Sequence, residues 1–231
     1  MLKIFLALSF ALNFLLVAYV VKPKTESFPS PEPIEGAKDE YTVTRVIDGD
    51  TFIIGEGELA GREIRLNNIN APELNNCGGP ESKAYLESLI GGKTLRLEAI
   101  VKDKFNRPLA VAYLGNTLIN EQIVKNGWAN FTSGASSVSD LVKSASDQAK
   151  LDKVGIFGPL CLQNQNPDDP KCSIKGNNRE GKKTYFFPGC LNYSNTDLNL
   201  NGGDAWFCSE AEAQQAGFAR SGNCRNLKFP Q

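Results

Sequence analysis

Between Tyr41 and Phe157, the feature that most constrains the fold is a series of short apolar or alternating runs. Alternation favours strands over helices, and the intervening turns carry Asp-Gly, Gly-Glu-Gly, Gly-Gly and Gly-Asn. The predicted strands are Tyr41–Ile47, Thr51–Ile54, Glu63–Asn68, Thr94–Val101 and Ala110–Leu114.

Three other segments of this region repeat apolar residues at helical spacing. The predicted helices are Glu81–Ile90, Ile119–Asn126 and Ser139–Lys153, and glycine follows each of the first two. Because most strands precede most helices, we expect an α+β fold with a small antiparallel sheet or barrel, in the order β-β-β-α-β-β-α-α.

The composition excludes several kinds of active site. The chain has no histidine, which removes the usual proton shuttle, the Ser/His and Cys/His nucleophile systems and histidine metal ligands. Its 25 Lys and Arg against 26 Asp and Glu exclude nucleic-acid binding through a strong overall positive charge. An anionic substrate must therefore be bound locally, by a few side chains.

Residues 4–21 form an apolar run long enough to cross a membrane. The run exceeds the roughly 7–15 residues of a typical signal-peptide core and lacks a small-x-small cleavage site, so a signal anchor is favoured over a cleaved signal peptide. Flanking lysines leave its orientation undecided. We expect four segments: an anchor or signal peptide at 1–21, a proline-rich spacer at 22–40, the α+β domain at 41–158, and a cysteine-rich module at 159–231.

The chain has six cysteines, an even number that suits an oxidising compartment. We therefore expect an extracytoplasmic protein, either anchored at the cell surface or secreted. The cysteine spacing contains no C-x-x-C pair, which speaks against a zinc ribbon. Six cysteines allow fifteen connectivities, of which we expect Cys77–Cys161, Cys172–Cys208 and Cys190–Cys224. The module also has one predicted helix, Ser209–Ala216.

Polar residues concentrate in three segments, Val46–Thr51, Arg65–Glu73 and Asp103–Arg107. Taken alone, the Asp48-Gly49-Asp50 corner is typical of a hairpin with solvated turn acids. Pro72 ends any helix in the second segment, and the third segment is a turn between the last two strands.

These segments, with the string Arg-x-x-x-Ile-x-Ala-Pro-Glu in the second and Ile119–Gly127 after the third, resemble the thermonuclease family, also called the staphylococcal or micrococcal nuclease family. The resemblance covers residues 41–157. It implies a five-stranded OB-type β-barrel with three helices, and calcium-dependent endonucleolytic cleavage of DNA and RNA that leaves 3′-phosphates. The cysteine-rich segment resembles a small module that follows many bacterial secreted relatives, for which no function is implied.

The resemblance also implies the roles of individual residues. The catalytic residues would be Arg65, Glu73 and Arg107. Calcium would be bound by Asp50, the backbone carbonyl of Ala71 and the residue at position 70, with Asp48 supporting the site. Forked guanidinium groups suit a phosphate, oxygen ligands suit Ca²⁺ rather than Zn²⁺, and without histidine a glutamate is the natural proton acceptor.

Two positions depart from the family pattern. Asn70 stands where the family commonly has a calcium-binding Asp, so weaker calcium affinity is expected. Phe105 stands where the family often has Tyr, which removes a hydroxyl but keeps a stacking face beside Lys104 for substrate binding. Between Glu40 and Gly158, 13 basic and 15 acidic residues predict weak, salt-sensitive attraction to phosphate.

We expect Asn120 and Glu121 to serve the fold rather than the chemistry. The leading functional prediction is a monomeric nuclease acting on DNA and RNA outside the cytoplasm, either attached to a membrane through its N-terminal run or secreted. One alternative is an OB-fold module that binds nucleic acid or another ligand without turnover. A further alternative is a structural surface protein whose functional part is the cysteine-rich module.

Overall fold

The computed structural model describes residues 40–224 and 227–229. The predicted anchor at 1–21 and residues 22–39 of the predicted spacer lie outside the described residues. Within the described ranges, no helix is both long enough and apolar enough to span a bilayer.

Five strands form a closed barrel, as predicted. They are β1 (Glu40–Val46), β2 (Thr51–Ile54), β3 (Glu63–Leu66), β5 (Thr94–Lys102) and β6 (Pro108–Leu114), with a two-residue strand β4 (Ile69–Asn70) between β3 and β5. Neighbours pair in the order β3-β2-β1-β5-β6, and a parallel β3–β6 pairing closes the ring. The parallel ladder sets Arg65 opposite Leu109, which fixes the register at the closure.

The third strand ends earlier than the predicted Glu63–Asn68. It stops at Leu66 because Asn68 has a positive φ of 62°, which turns the chain away from the ladder. Three short strands of the barrel domain were not predicted: β4, β7 (Thr117–Leu118), which pairs with β6, and β8 (Asn130–Phe131), which pairs with β4. A strand of two residues is too short to show the alternation of apolar and polar residues from which a strand is predicted.

Three helices follow the predicted order. They are α1 (Gly79–Ile90), α2 (Ile119–Lys125) and α3 (Ser139–Leu151). The first begins two residues earlier than predicted, with Pro80 in its first turn, where the missing N–H costs no hydrogen bond. Gly79 packs against the preceding loop, since a Cβ there would lie 2.1 Å from the Glu73 carbonyl oxygen.

Asn120 joins α2 to the barrel, as the sequence predicts for a residue that serves the fold. Its side chain is fully buried. Oδ1 accepts from the Ala112 N–H at 2.9 Å, and Nδ2 donates to the carbonyls of Asn67 at 2.8 Å and Ala110 at 3.2 Å. The amide therefore satisfies backbone groups on β6 and after β3 that have no access to water.

Beyond the barrel, the chain forms a second apolar cluster around Ile174, Tyr185 and Phe187. The remaining strands are β9 (Leu162–Gln163), β10 (Ile174–Arg179), β11 (Lys182–Phe186), β12 (Leu198–Asn199), β13 (Ala205–Phe207) and β14 (Ala219–Arg220). Four of them make a sheet in the order β13-β10-β11-β14. The predicted helix is present as α4 (Glu210–Gln215), and Ser209 Oγ caps it by accepting from the Glu212 N–H.

The three expected disulfides are confirmed as Cys77–Cys161, Cys172–Cys208 and Cys190–Cys224. The first links the loop before α1 to the end of the barrel domain, and the other two lie within the cysteine-rich module. A cluster of acid and sulfur atoms at Asp169, Cys172 and Cys208 is not a thiolate metal site, because both cysteines are oxidised.

Replacing Asn120 with alanine should lower the free energy of unfolding by about 3 kcal/mol, because it leaves buried backbone groups without partners. Urea denaturation followed by circular dichroism measures this. Asn126→Ala, which removes one exposed hydrogen bond to the Gln122 carbonyl on the same helix, is the matched control. Equal losses for the two variants would contradict the structural role of Asn120.

Candidate active site

The Asp48-Gly49-Asp50 corner lies between β1 and β2 and packs tightly on two other segments. A Cβ at Gly49 would lie 1.8 Å from Ser82 Oγ on α1 and 2.7 Å from the Ala71 Cβ. Only glycine fits this close approach. The corner is therefore a packed structural element rather than a solvated hairpin turn.

Asp50 is a buried carboxylate, with 1% of the residue exposed. Oδ1 accepts from Arg65 Nη1 at 2.5 Å and from the Thr51 hydroxyl at 2.9 Å, and Oδ2 accepts from the Ala71 N–H at 2.7 Å. Burial raises the pKa of Asp50 to about 6, although the Arg65 charge and the Ala71 N–H act in the opposite direction. Asp48 lies beside it, and its Oδ1 accepts from the Asp50 backbone N–H at 3.0 Å.

Arg65 connects this corner to the next candidate ligand. It is on β3, opposite Thr51 of β2, and only partly exposed. While Nη1 contacts Asp50, Nη2 donates to Asn70 Oδ1 at 2.6 Å. The structure therefore brings Asp50 together with Arg65, Asn70 and Ala71, which lie 15 to 21 positions further along the chain.

The segment that carries Asn70 is held by buried and half-buried amides. Asn68 Nδ2 donates to the Gly134 carbonyl at 2.9 Å, and Asn70 pairs with Asn130 in the β4–β8 ladder. Pro72 then directs the chain outward, so that Glu73 is exposed at the rim of a cleft of about 480 Å³. Asn70 and Ala71 line the same cleft.

Arg107 lies in a separate turn, organised by Asp103. The Asp103 carboxylate accepts from the backbone N–H groups of Phe105 and Arg107, and from Arg107 Nε at 2.8 Å. Partial burial alone would raise the pKa of Asp103, but these hydrogen bonds and the Arg107 charge bring it below its usual range. Leu109 is opposite Arg65 in the β3–β6 ladder, and Arg107 comes two residues before Leu109, just ahead of β6. Because side chains alternate along a strand, this register predicts that Arg107 is on the same barrel face as Arg65.

The predicted substrate-binding pair lies in this turn. Phe105 is 67% exposed, and both Lys104 Nζ and the Arg107 guanidinium lie over its ring, at 5.0 Å and 5.4 Å from the centroid. An exposed aromatic ring with two cations close to it suits stacking of a base next to a phosphate.

Sequence reasoning missed Asp103 as the residue that positions Arg107. Its signal is present, because an aspartate that begins a turn and precedes an arginine by four residues can accept from the turn backbone and from that arginine. It also missed Asn76, Asn130 and Asn201, which line the cleft beside Glu73. Asn76 is held near Glu73 by a local turn, in which its N–H donates to the Glu73 carbonyl, but Asn130 and Asn201 come close only through tertiary contacts.

The predicted metal donors fit a hard cation. Every predicted ligand atom is an oxygen. Two of the groups are the carboxylates of Asp48 and Asp50, and the others are the Asn70 side-chain amide and the Ala71 backbone carbonyl. A carboxylate buried as deeply as Asp50 needs a neighbouring positive charge, which Arg65 provides in this structure and which a cation would also provide. The chemistry of this donor set matches Ca²⁺ rather than Zn²⁺.

Comparison with known proteins agrees with this geometry. The family model for staphylococcal nuclease homologues matches residues 63–158. An uncharacterized endonuclease of Haemophilus influenzae is 30% identical over 133 residues, which are 58% of this chain and 71% of that protein. The thermonuclease of Staphylococcus intermedius is 31% identical over 129 residues, or 52% of this chain and 76% of that protein.

A longer match reaches beyond the barrel. An endonuclease of Bacillus subtilis is 27% identical over 228 residues, which cover 84% of this chain but only 18% of that protein. With the closed barrel and the Asp50–Arg65–Asn70 cluster, these matches confirm the nuclease class of enzyme predicted from the sequence and show that the chain belongs to the staphylococcal nuclease family.

Proposed function

We propose that the chain hydrolyses phosphodiester bonds of DNA and RNA in a calcium-dependent reaction that leaves 3′-phosphates. The observation that carries the proposal is the position of the Arg65 guanidinium. It contacts a buried carboxylate and an amide oxygen at a corner that adjoins the Glu73 cleft. A cation that can bind phosphate (Arg65), oxygen atoms that can bind a metal (Asp50 and Asn70) and an exposed carboxylate (Glu73) therefore lie in one region.

The two arginines have complementary tasks in this reaction. On the barrel face that the β3–β6 register predicts for both arginines, their N–H groups can hold phosphate oxygens and bind more strongly as negative charge develops in the transition state. The guanidinium of Arg65 has five N–H donors, and its contacts with Asp50 and Asn70 use two of them. Asp103 holds Arg107 in its turn.

Glu73 is the proposed proton acceptor. The oxygen of water forms a bond to phosphorus, its proton passes to the Glu73 carboxylate, the bond from phosphorus to the 5′-oxygen breaks, and the departing 5′-oxygen takes up a proton from solvent to become a hydroxyl. The exposed position of Glu73 allows the proton to leave to solvent afterwards. Bound calcium would be held by Asp50, Asn70, Ala71 and Asp48, and would supply a positive charge to the phosphoryl oxygen.

We also propose that the enzyme acts outside the cytoplasm, attached to a membrane or secreted. The three disulfides support this, because such bonds persist in oxidising compartments and are rare in the cytosol. All of the site residues come from one chain, so the proposal requires only a monomer.

Calcium dependence is tested with the full-length chain. Release of acid-soluble nucleotides from single-stranded DNA should require millimolar Ca²⁺ and stop when EGTA is in excess, because an amide at position 70 replaces a charged ligand and weakens binding. Release that continues in EGTA would contradict the calcium site. Folded protein that binds DNA but releases nothing would favour the non-catalytic binding module.

Arg65→Lys should reduce kcat/KM by about 100-fold, because lysine keeps the charge beside Asp50 but lacks the fork that holds a phosphate. The control is Arg96→Lys on β5, where the arginine pairs with Glu98 away from the site. Steady-state cleavage of a labelled oligonucleotide measures both. Equal rates for the two variants would remove Arg65 from the proposed machinery.

Glu73→Gln should reduce kcat by about 100-fold or more while KM changes little, because the amide keeps the shape but cannot accept a proton. Glu81→Gln, at an exposed position in the first turn of α1, is the matched control. A fall in kcat equal to that of the control would show that another group takes the proton.

A further inference from the structure

The sheet of the cysteine-rich module has two faces of opposite character. On β10, Ile174 packs into the apolar cluster of the module. The alternate residues face the other way, because the register sets Asn177 opposite Thr184 and Arg179 opposite Lys182. These four residues line a cavity of about 600 Å³, and we call the surface that they form the basic face.

Two cations lie directly opposite each other on the basic face. Arg179 and Lys182 flank the tight turn between β10 and β11, where Glu180 and Gly181 both have positive φ, and such a turn fixes the register of a hairpin. Like charges opposite each other on neighbouring strands destabilise a sheet. Neither cation forms an ion pair with a carboxylate of the described residues. The hairpin therefore holds together two positive charges that no described carboxylate neutralises.

Two buried polar side chains orient Arg179. Its Nε donates to Asn177 Oδ1 at 3.0 Å, and Asn177 Nδ2 donates to Asp204 Oδ2, also at 3.0 Å. These contacts use only one of the five N–H donors of the guanidinium. Its two terminal nitrogens have no partner among the described residues, so they are available to a ligand in the cavity.

The sides of the cavity are fixed as well. They lie in two segments, 192–196 and 220–223. The first is held by the buried Lys175, whose Nζ donates to two carbonyls of this segment at 2.7 Å and 3.0 Å. The Cys190–Cys224 disulfide joins the chain just before the first segment to the chain just after the second. The cavity is therefore formed without a ligand.

The lining of the cavity suits a phosphate. The described lining residues include three cations, Arg179, Lys182 and Arg220, and no carboxylate. Guanidinium and ammonium groups are the side chains that bind phosphate in proteins. The half-buried ring of Phe186 lines the same cavity. Proteins that bind a nucleic-acid strand without regard to sequence combine a cationic groove with aromatic side chains in this way.

We propose that the basic face binds phosphate groups of a polynucleotide, at a second site that holds the substrate strand outside the reaction centre. The inference rests on the proposed function, because the strand that it holds is the substrate. Between Glu40 and Gly158, 13 basic and 15 acidic residues give the barrel domain little attraction for phosphate. The module supplies that attraction, and so lowers KM for long substrates without taking part in the chemistry.

The test compares two double variants of the full-length chain that each lose two positive charges from the module. Arg179→Gln/Lys182→Gln removes the opposed cations of the basic face. The control is Lys171→Gln/Lys183→Gln. Neither control residue lines the cavity, and Lys183 Nζ donates instead to the Ala216 carbonyl. Circular dichroism checks that both variants are folded, and Lys182→Gln alone, at an exposed position, repeats the test with a single charge.

Binding is measured by fluorescence anisotropy of a labelled oligonucleotide of about 30 nucleotides, in EGTA to prevent calcium-dependent cleavage. Removing two phosphate contacts should raise Kd about tenfold at about 50 mM salt, and should reduce the slope of log Kd against log salt by about 1.4. The control should change Kd less than about twofold. Equal Kd values for the two double variants would overturn the inference. So would a loss of binding to phosphatidylglycerol vesicles with oligonucleotide binding unchanged, which would assign the basic face to a membrane.

Steady-state cleavage with Ca²⁺ separates this inference from the proposed function. For the long oligonucleotide, Arg179→Gln/Lys182→Gln should raise KM about fivefold and leave kcat unchanged. Hydrolysis of bis(p-nitrophenyl) phosphate, which occupies only the reaction centre, should stay at the wild-type rate, and a fall in that rate would overturn the inference. If the wild-type chain hydrolyses neither substrate, the proposed function fails, and the anisotropy comparison still decides whether the basic face binds a polynucleotide.

Discussion

The buried carboxylate of Asp50 is the constraint on which the site depends. A charged group with almost no access to water must be surrounded by hydrogen-bond donors or a positive charge. Here the donors come from Arg65 on β3, Thr51 on β2 and the Ala71 backbone after β4. One side chain therefore fixes the relative positions of three segments, and the close packing at Gly49 allows them to meet.

Both arginines assigned to the reaction are paired with carboxylates in this structure, Arg65 with Asp50 and Arg107 with Asp103. A phosphate that binds them must share or replace these contacts. The barrel domain also has slightly more acidic than basic residues, so its net charge does not attract nucleic acid. Recognition must then depend on groups that contact the substrate directly, including uncharged ones.

Much of this arrangement could be predicted from the sequence. The strands and helices follow hydrophobic periodicity, and the cluster around Asp50, Arg65 and Asn70 follows from the family resemblance. The position of Arg107 relative to Arg65 could not be read from periodicity, because it depends on the register of the parallel β3–β6 pair. The contact between Asn76 and Asn201 joins residues 125 positions apart and leaves no pattern in the chain. The end of β3 depends on the positive φ of Asn68, which an asparagine permits but does not require.

The Cys77–Cys161 disulfide also makes most of the barrel domain part of a covalent ring. The bond closes a ring that contains α1, β5, β6, α2 and α3, with 84 positions between its ends. The exposed loop at Ser133–Ala135 lies inside this ring, and such loops are common sites of proteolytic cleavage. A single cut there would leave both new ends attached to the same molecule, so that the Glu73 loop and the cysteine-rich module would stay in one covalent unit.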